Sequence, residues 1–139
     1  MRIPKPEAGM VINYSYLWAR EARVGQEEGV KNRPCAIILV AETEERGTRV
    51  QILPITHAPP SSDENAVEIP TAIKRYLKLD DERSWILIDE YNQFLWPGYD
   101  LWPAGSLQTP VYGFLPQRFF QHLIDRFLAR PRPTLIDRT

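Results

Sequence analysis

The stretch Cys35 to Val40 is apolar at every position and only six residues long, which most narrows what this chain can fold into. A run that short fits a strand better than a helix, and apolar side chains on both parities mean that both faces of the strand are covered. A second run, Ser84 to Glu90, repeats the pattern, with Trp85 and Leu87 on one face and Ile86 and Ile88 on the other. Two such central strands need neighbours. Met10 to Trp18 supplies one by alternation, with Met10, Ile12, Tyr14, Tyr16 and Trp18 on a single face. Val50 to Ile55 supplies another, joined to the first run through the turn cluster Glu44-Glu45-Arg46-Gly47.

The rest of the chain reads as connection and cover. Residues 19 to 32 form a long polar link, and Ala58 to Asn65, rich in proline and polar residues, is a mobile-loop candidate. Val67 to Ile69 reads as a short strand and Thr71 to Leu77 as a short helix. Trp96-Pro97-Gly98-Tyr99-Asp100 has the residues of a type II turn, with glycine at the position needing positive φ. After Pro116, Phe119, Phe120, Leu123, Ile124, Phe127 and Leu128 follow helical spacing, opposite a polar side that includes His122. Arg130 to Thr139 holds prolines, arginines and few large apolar groups, and reads as a frayed tail. Short strands joined by turns and closed by one helix favour a mainly β fold, a small curled antiparallel sheet or barrel, over any βαβ arrangement. The domain is expected to span residues 1 to 128, with 129 to 139 a flexible tail.

The 139 residues fit one domain, and 43% apolar with 25% charged residues is the composition of a soluble globular protein. No apolar run approaches membrane-spanning length, and the start Met1-Arg2-Ile3-Pro4-Lys5-Pro6 has no apolar h-region, so the chain reads as cytoplasmic without a membrane partner. Cys35 is the only cysteine, which excludes an internal disulfide and a thiolate zinc cluster. Its apolar surroundings fit an inert buried thiol. The two histidines, His57 and His122, lie in different elements, which excludes a histidine-rich metal site, and no cofactor fingerprint is present.

The chemistry concentrates around the charged glycine loop Gly25 to Pro34, which delivers Arg33 to the mouth of the first apolar run, and around Thr56 and His57 at the end of Val50 to Ile55. A guanidinium, a hydroxyl and an imidazole suit a phosphodiester: Arg33 to hold two phosphate oxygens, Thr56 to donate one hydrogen bond, His57 to move a proton. Glu27, Glu28, Asp89 or Glu90 can take the complementary proton role if buried. Blander roles exist for each. Arg33 can pair with Glu27 or Glu28, Thr56 can satisfy backbone at a strand end, and His57 can be a turn residue. Trp96, Tyr99 and Trp102 suit either base stacking or packing. The net charge of −1 leaves no overall basic footprint, so a nucleic-acid partner requires local segregation of Arg20, Arg23, Lys31 and Arg33.

The order of these motifs resembles the MazF/PemK family of toxin endoribonucleases. The likeness runs through Gly9-Met10-Val11, the glycine and acidic run ending in Arg33-Pro34, Pro54-Ile55-Thr56, the serine-led strand Ser84 to Glu90 and the C-terminal helix, covering roughly residues 8 to 128. The resemblance implies an SH3-like barrel that dimerises, cleaves single-stranded RNA without a metal or cofactor, and is held inactive by an antitoxin protein in a type II toxin-antitoxin system. It implies Arg33 and Thr56 as active-site residues; the chemistry of the residues themselves adds His57 as proton carrier and Glu27, Glu28, Lys31, Asp89, Glu90 and Trp96 as substrate-binding candidates. Leu87 and Asn92 stand where some members carry arginine. A non-catalytic interaction or nucleic-acid-binding module on the same fold is the alternative.

Overall fold

A computed structural model describes residues 1–139. The fold is built on one long hairpin, β2 (Arg33–Thr43) and β3 (Gly47–Thr56), closed by the expected turn. Strand β1 (Met10–Tyr14) lies antiparallel beside β2. The short helix α1 (Ala19–Arg23) begins inside what reads in sequence as a long polar link. A single 3-10 turn, Asp63–Asn65, leads into β4 (Ala66–Glu68), then α2 (Thr71–Tyr76), β5 (Trp85–Leu87), β6 (Glu90–Leu95), β7 (Val111–Phe114), α3 (Gln117–Ala129) and β8 (Thr134–Asp137).

Eight strands form one sheet, mainly antiparallel, ordered β4-β5-β3-β2-β1-β7, while β6 pairs both β3 and β8. The β6–β8 pairing is parallel. No ladder joins β4, β7 and β8 to one another, so the sheet is open along those strands. No helix is long and apolar enough to cross a membrane.

Alternation along the strands builds two cores. Val11, Ala36, Ile38, Leu53, Ile55, Ile86 and Ile88 face the helices, where Leu77 and Leu123 join them. Met10, Ile12, Tyr14, Cys35, Ile37, Val50, Ile52 and Phe94 fill the other side, with Tyr14 stacked on Phe94 at 4.4 Å. Both faces of β2 are therefore covered over Cys35–Ile38, whereas Leu39, past a register shift in the β2–β3 pairing, is exposed although the all-apolar run implied cover there too. Cys35 is fully buried, and burial pushes its thiol up, far from a nucleophile's range. On α3, Phe119, Phe120, Ile124 and Phe127 pack on the core around Leu123, whereas Leu128 is exposed, since five residues beyond Leu123 the helix has turned away.

Two sequence expectations are corrected. The run Ser84 to Glu90 is not one strand: it breaks at Ile88 and Asp89 into β5 and β6. Both segments pair β3, but the register slips by three residues between the Ile86–Ile55 and Asn92–Ile52 pairs. That extra length bends the chain at Asp89. The C-terminal segment, expected to be a frayed tail, forms β8. Ile136 is buried against Leu17, Ala19 and Ala22, and Arg138 is drawn inward by polar contacts that no hydrophobic pattern announces. At the Trp96–Asp100 turn, Gly98 takes φ +67° as the sequence requires, and the Trp96–Pro97 bond is cis.

Candidate functional site

The glycine loop reaches its strand by a close backbone approach. A Cβ at Gly29 would stand 2.6 Å from the carbonyl oxygens of both Ser15 and Tyr16, a separation only glycine permits. This lays the loop over the end of β1 and starts β2 at Arg33, opposite Tyr14. From there the Arg33 guanidinium stacks on the Trp18 indole at 4.7 Å, and Arg20 lies over the same ring at 4.9 Å. Arg33 makes no salt bridge to Glu27, Glu28 or any other carboxylate, and its buried Nε has no hydrogen-bond partner. Burial, with the Arg20 charge nearby, holds its guanidinium below the ordinary value; an arginine starting that high stays charged.

Arg33, Thr56 and His57 line one cleft of about 420 Å³, together with Trp18, Arg20, Lys31 and Asp89. A volume of that size suits a small ligand or a nucleotide unit. Thr56 ends β3, and its Oγ1 accepts the Ala58 amide at 3.1 Å. Its own hydroxyl proton remains available to a ligand. Asp89, carried in by the bend between β5 and β6, buries an Oδ1 that no protein group satisfies. Leu87 contributes an apolar wall.

His57 is more constrained. Its Nε2 lies 2.6 Å from Asp80 and its Nδ1 3.2 Å from Glu82, and the ring is half exposed. Both nitrogens can donate at once only as the imidazolium. Buried Lys74 completes the network, donating to Asp80 Oδ1 at 2.6 Å, to Ser84 Oγ at 2.7 Å and to the Glu82 carbonyl. Partial burial alone would raise the Asp80 carboxyl, but hydrogen bonds from Lys74 and His57 prevail and hold it below its ordinary value. One ligand atom each from His57, Asp80 and Glu82 fall within 4.8 Å of one another, which could hold a cation. The Lys74 ammonium already occupies Asp80, so hydrogen bonding accounts for the cluster.

The proline-rich loop forms one wall through Ala58, Pro59, Pro60, Ser61 and Asn65. It is tied down at several points. Ser62 caps the 3-10 turn by accepting the Glu64 amide, Asn65 accepts the Ile88 amide through its carbonyl, and Arg126 of α3 donates to the Asp63 carbonyl at 2.8 Å.

Other sequence candidates lie elsewhere. Glu27 and Glu28 line a second cavity, beside β8. Glu90 faces inward, accepting the Ala19 amide at 2.9 Å and the Tyr16 hydroxyl at 3.1 Å. Burial raises its pKa against these hydrogen bonds. Trp96 lines neither cavity; its indole donates to the Pro4 carbonyl and packs near Phe94. Asn92 is structural: its side-chain amide clamps both the N–H and the C=O of Leu17. The aromatic in the cleft is instead Trp18, not singled out from sequence as a site residue, with Arg20, named there only as part of a basic face. The signal was present in the alternation from Met10, which puts Trp18 last on the buried face, at the strand mouth.

Charge thus segregates locally. Arg20, Lys31 and Arg33 meet a single carboxylate, Asp89, in a protein whose formal net charge is −1. The arrangement can bind an anion through Arg33, Lys31 and the Thr56 hydroxyl, while Asp89 accepts a hydrogen bond or a proton. No family model matches the chain, and no curated protein matches it in sequence.

Proposed function

We propose that this protein is a MazF/PemK-like, metal-independent endoribonuclease acting on single-stranded RNA, its curled sheet a relative of that family's SH3-like barrel. One observation carries the reading: the Arg33 guanidinium, which no carboxylate of the chain pairs, and the Asp89 carboxylate, of opposite charge, line the same cleft as Lys31 and Thr56. A phosphodiester with its neighbouring 2′-hydroxyl offers an acceptor for the first and a donor for the second.

In this reading Asp89 takes the 2′-hydroxyl proton, the 2′-oxygen attacks phosphorus, and the bond to the 5′-oxygen breaks to leave a cyclic phosphate. Arg33 and Lys31 balance the added charge on the phosphoryl oxygens, and Thr56 donates to one of them. His57, as imidazolium, gives its proton to the departing 5′-oxygen, which requires it to leave Asp80 or Glu82. A homodimer, a protein antitoxin and a cytoplasmic setting belong to the same family reading and stand or fall with it.

The engagement of both His57 nitrogens, and Leu87 at the place of a family arginine, favour a second reading. There the cleft grips RNA without cutting it. Incubating the protein with mixed-sequence single-stranded RNA in EDTA separates the two. Fragments ending in cyclic phosphate, lost in Arg33→Ala, support the nuclease. Intact RNA that still binds, with binding lost in Arg33→Ala, supports the module, and no binding at all ends both.

A further inference from the structure

The larger cavity of the protein, about 820 Å³, lies alongside β8 and is not used by the proposed chemistry. Its floor is apolar, formed where Leu17, Ala19 and Ile136 pack together. One side of it is an unpaired strand edge. The Thr134 and Arg138 amides donate to the Asp89 and Gln93 carbonyls of the β6 side. The alternating residues, Leu135 and Asp137, therefore turn their N–H and C=O groups outward, where no ladder meets them. Exposed edges of this kind are templates for another strand. Leu135 is exposed on this one, and Tyr99 stands fully exposed beside it.

The charges around the cavity select the occupant. Asp100 is neutralised by Arg138 at 3.1 Å. Asp137 already accepts from Gln93 and Thr139, which leaves Glu27 and Glu28 against Arg23, a surplus of negative charge that repels phosphate and attracts lysine and arginine. A second copy of this chain is a poor partner, because two-fold pairing of β8 with itself would bring together two surfaces with the same excess of negative charge. We propose that this surface takes an extended, basic segment of a partner protein. The segment adds as a strand to the outer edge of β8, places apolar side chains over Leu17 and Ile136, and directs its cations to Glu27 and Glu28. The proposal is independent of what the Arg33 cleft does.

A synthetic peptide alternating valine and lysine, and its valine–glutamate counterpart, test this by NMR on the isotope-labelled full chain. The lysine peptide is expected to shift the Leu135 and Asp137 amides and slow their exchange. Its dissociation constant should rise about tenfold or more in Leu135→Pro, which removes an outward N–H and leaves the β6 ladder intact, and in the exposed pair Glu27→Lys with Glu28→Lys. Arg33→Ala should leave binding unchanged. Equal binding of the glutamate peptide, shifts confined to the Arg33 cleft, self-association through β8 in place of peptide binding, or no response at millimolar peptide would each overturn the proposal.

Discussion

Arg33 and Arg138 both lay a guanidinium on an aromatic ring, at 4.7 Å from Trp18 and 5.3 Å from Tyr14, yet the two are partnered in opposite ways. Arg138 is only 8% exposed and fully engaged: it donates to the Tyr14 hydroxyl, the Ser15 carbonyl and the Asp100 carboxylate. Arg33 is half-buried and donates to nothing in the chain, and Nε is buried without a partner. The first therefore holds the C-terminal strand to the fold, and the second carries a charge that no group of the chain pairs. An arginine contributes to folding through the acceptors that meet it, and burial by itself indicates neither role.

The most direct way to break this comparison is to delete each side chain. Arg138→Ala strips a buried ion pair and leaves the Asp100 carboxylate and the Ser15 carbonyl short of a donor, a loss of about 3 kcal/mol in urea unfolding. Arg33→Ala removes one cation–π contact and also one unsatisfied buried donor, so stability should stay within about 1 kcal/mol of the parent while anion binding in the cleft is lost. Equal destabilisation by both would show that Arg33 is a structural residue after all.

Gly29 sharpens the comparison from the loop side. Gly29→Ala drives a Cβ into backbone oxygens of Ser15 and Tyr16, and backbone cannot yield as a side chain can. Moving the loop should cost about 2 kcal/mol and displace Arg33, so cleft binding falls together with stability. Ser15 also accepts from Arg138 through its carbonyl, so the substitution should disturb both arginines in the NMR spectrum. Disturbance of neither would mean that the loop adapts elsewhere.

These residues also show what was legible beforehand. The two-sided apolar run gave β2 correctly, since a strand with no polar face has only one kind of place in a sheet. Alternation, turn residues and helical spacing placed β3 and α3 for similar reasons of local repetition, and β1 in part: the strand expected over Met10 to Trp18 ends at Tyr14, and Trp18 caps α1. The convergence of Arg33, Thr56 and His57 on one cleft follows from adjacent ends of paired strands, which a hairpin brings together. What stayed hidden was non-local and polar. The three-residue slip that presents Asp89 depends on how β3 is shared between β5 and β6. The anchoring of β8 depends on an arginine meeting acceptors from residues far away in sequence. Neither leaves a periodic trace.

A smaller effect separates Trp18 as a support for Arg33 from Trp18 as mere packing. No hydrogen bond fixes the Arg33 guanidinium, so the indole stack is what orients it. Trp18→Leu should weaken inorganic phosphate binding about fivefold to tenfold, the equivalent of a cation–π contact of roughly 1 kcal/mol. Trp18→Phe, which keeps an aromatic face, should restore part of that loss. Similar affinity in the leucine and phenylalanine variants would mean that Arg33 is oriented by its backbone alone.

The smallest effect expected lies next to Asp89 in the chain, at Glu90, a carboxylate whose hydrogen-bond donors are in place but which makes no salt bridge. Burial raises its pKa above the ordinary 4.5 even though the Ala19 amide and the Tyr16 hydroxyl oppose the shift. The folded protein therefore binds this proton more tightly than the unfolded chain does. This contribution is fully present below pH 4.5, declines as pH rises through the higher folded value, and is flat above it. Glu90→Gln keeps an oxygen for both donors and removes the titration. Stability at neutral pH should rise slightly, and this decline with pH should vanish. If the slope persists in Glu90→Gln, the proton belongs to another group, and Glu90 joins Arg138 among the residues that the fold has fully satisfied.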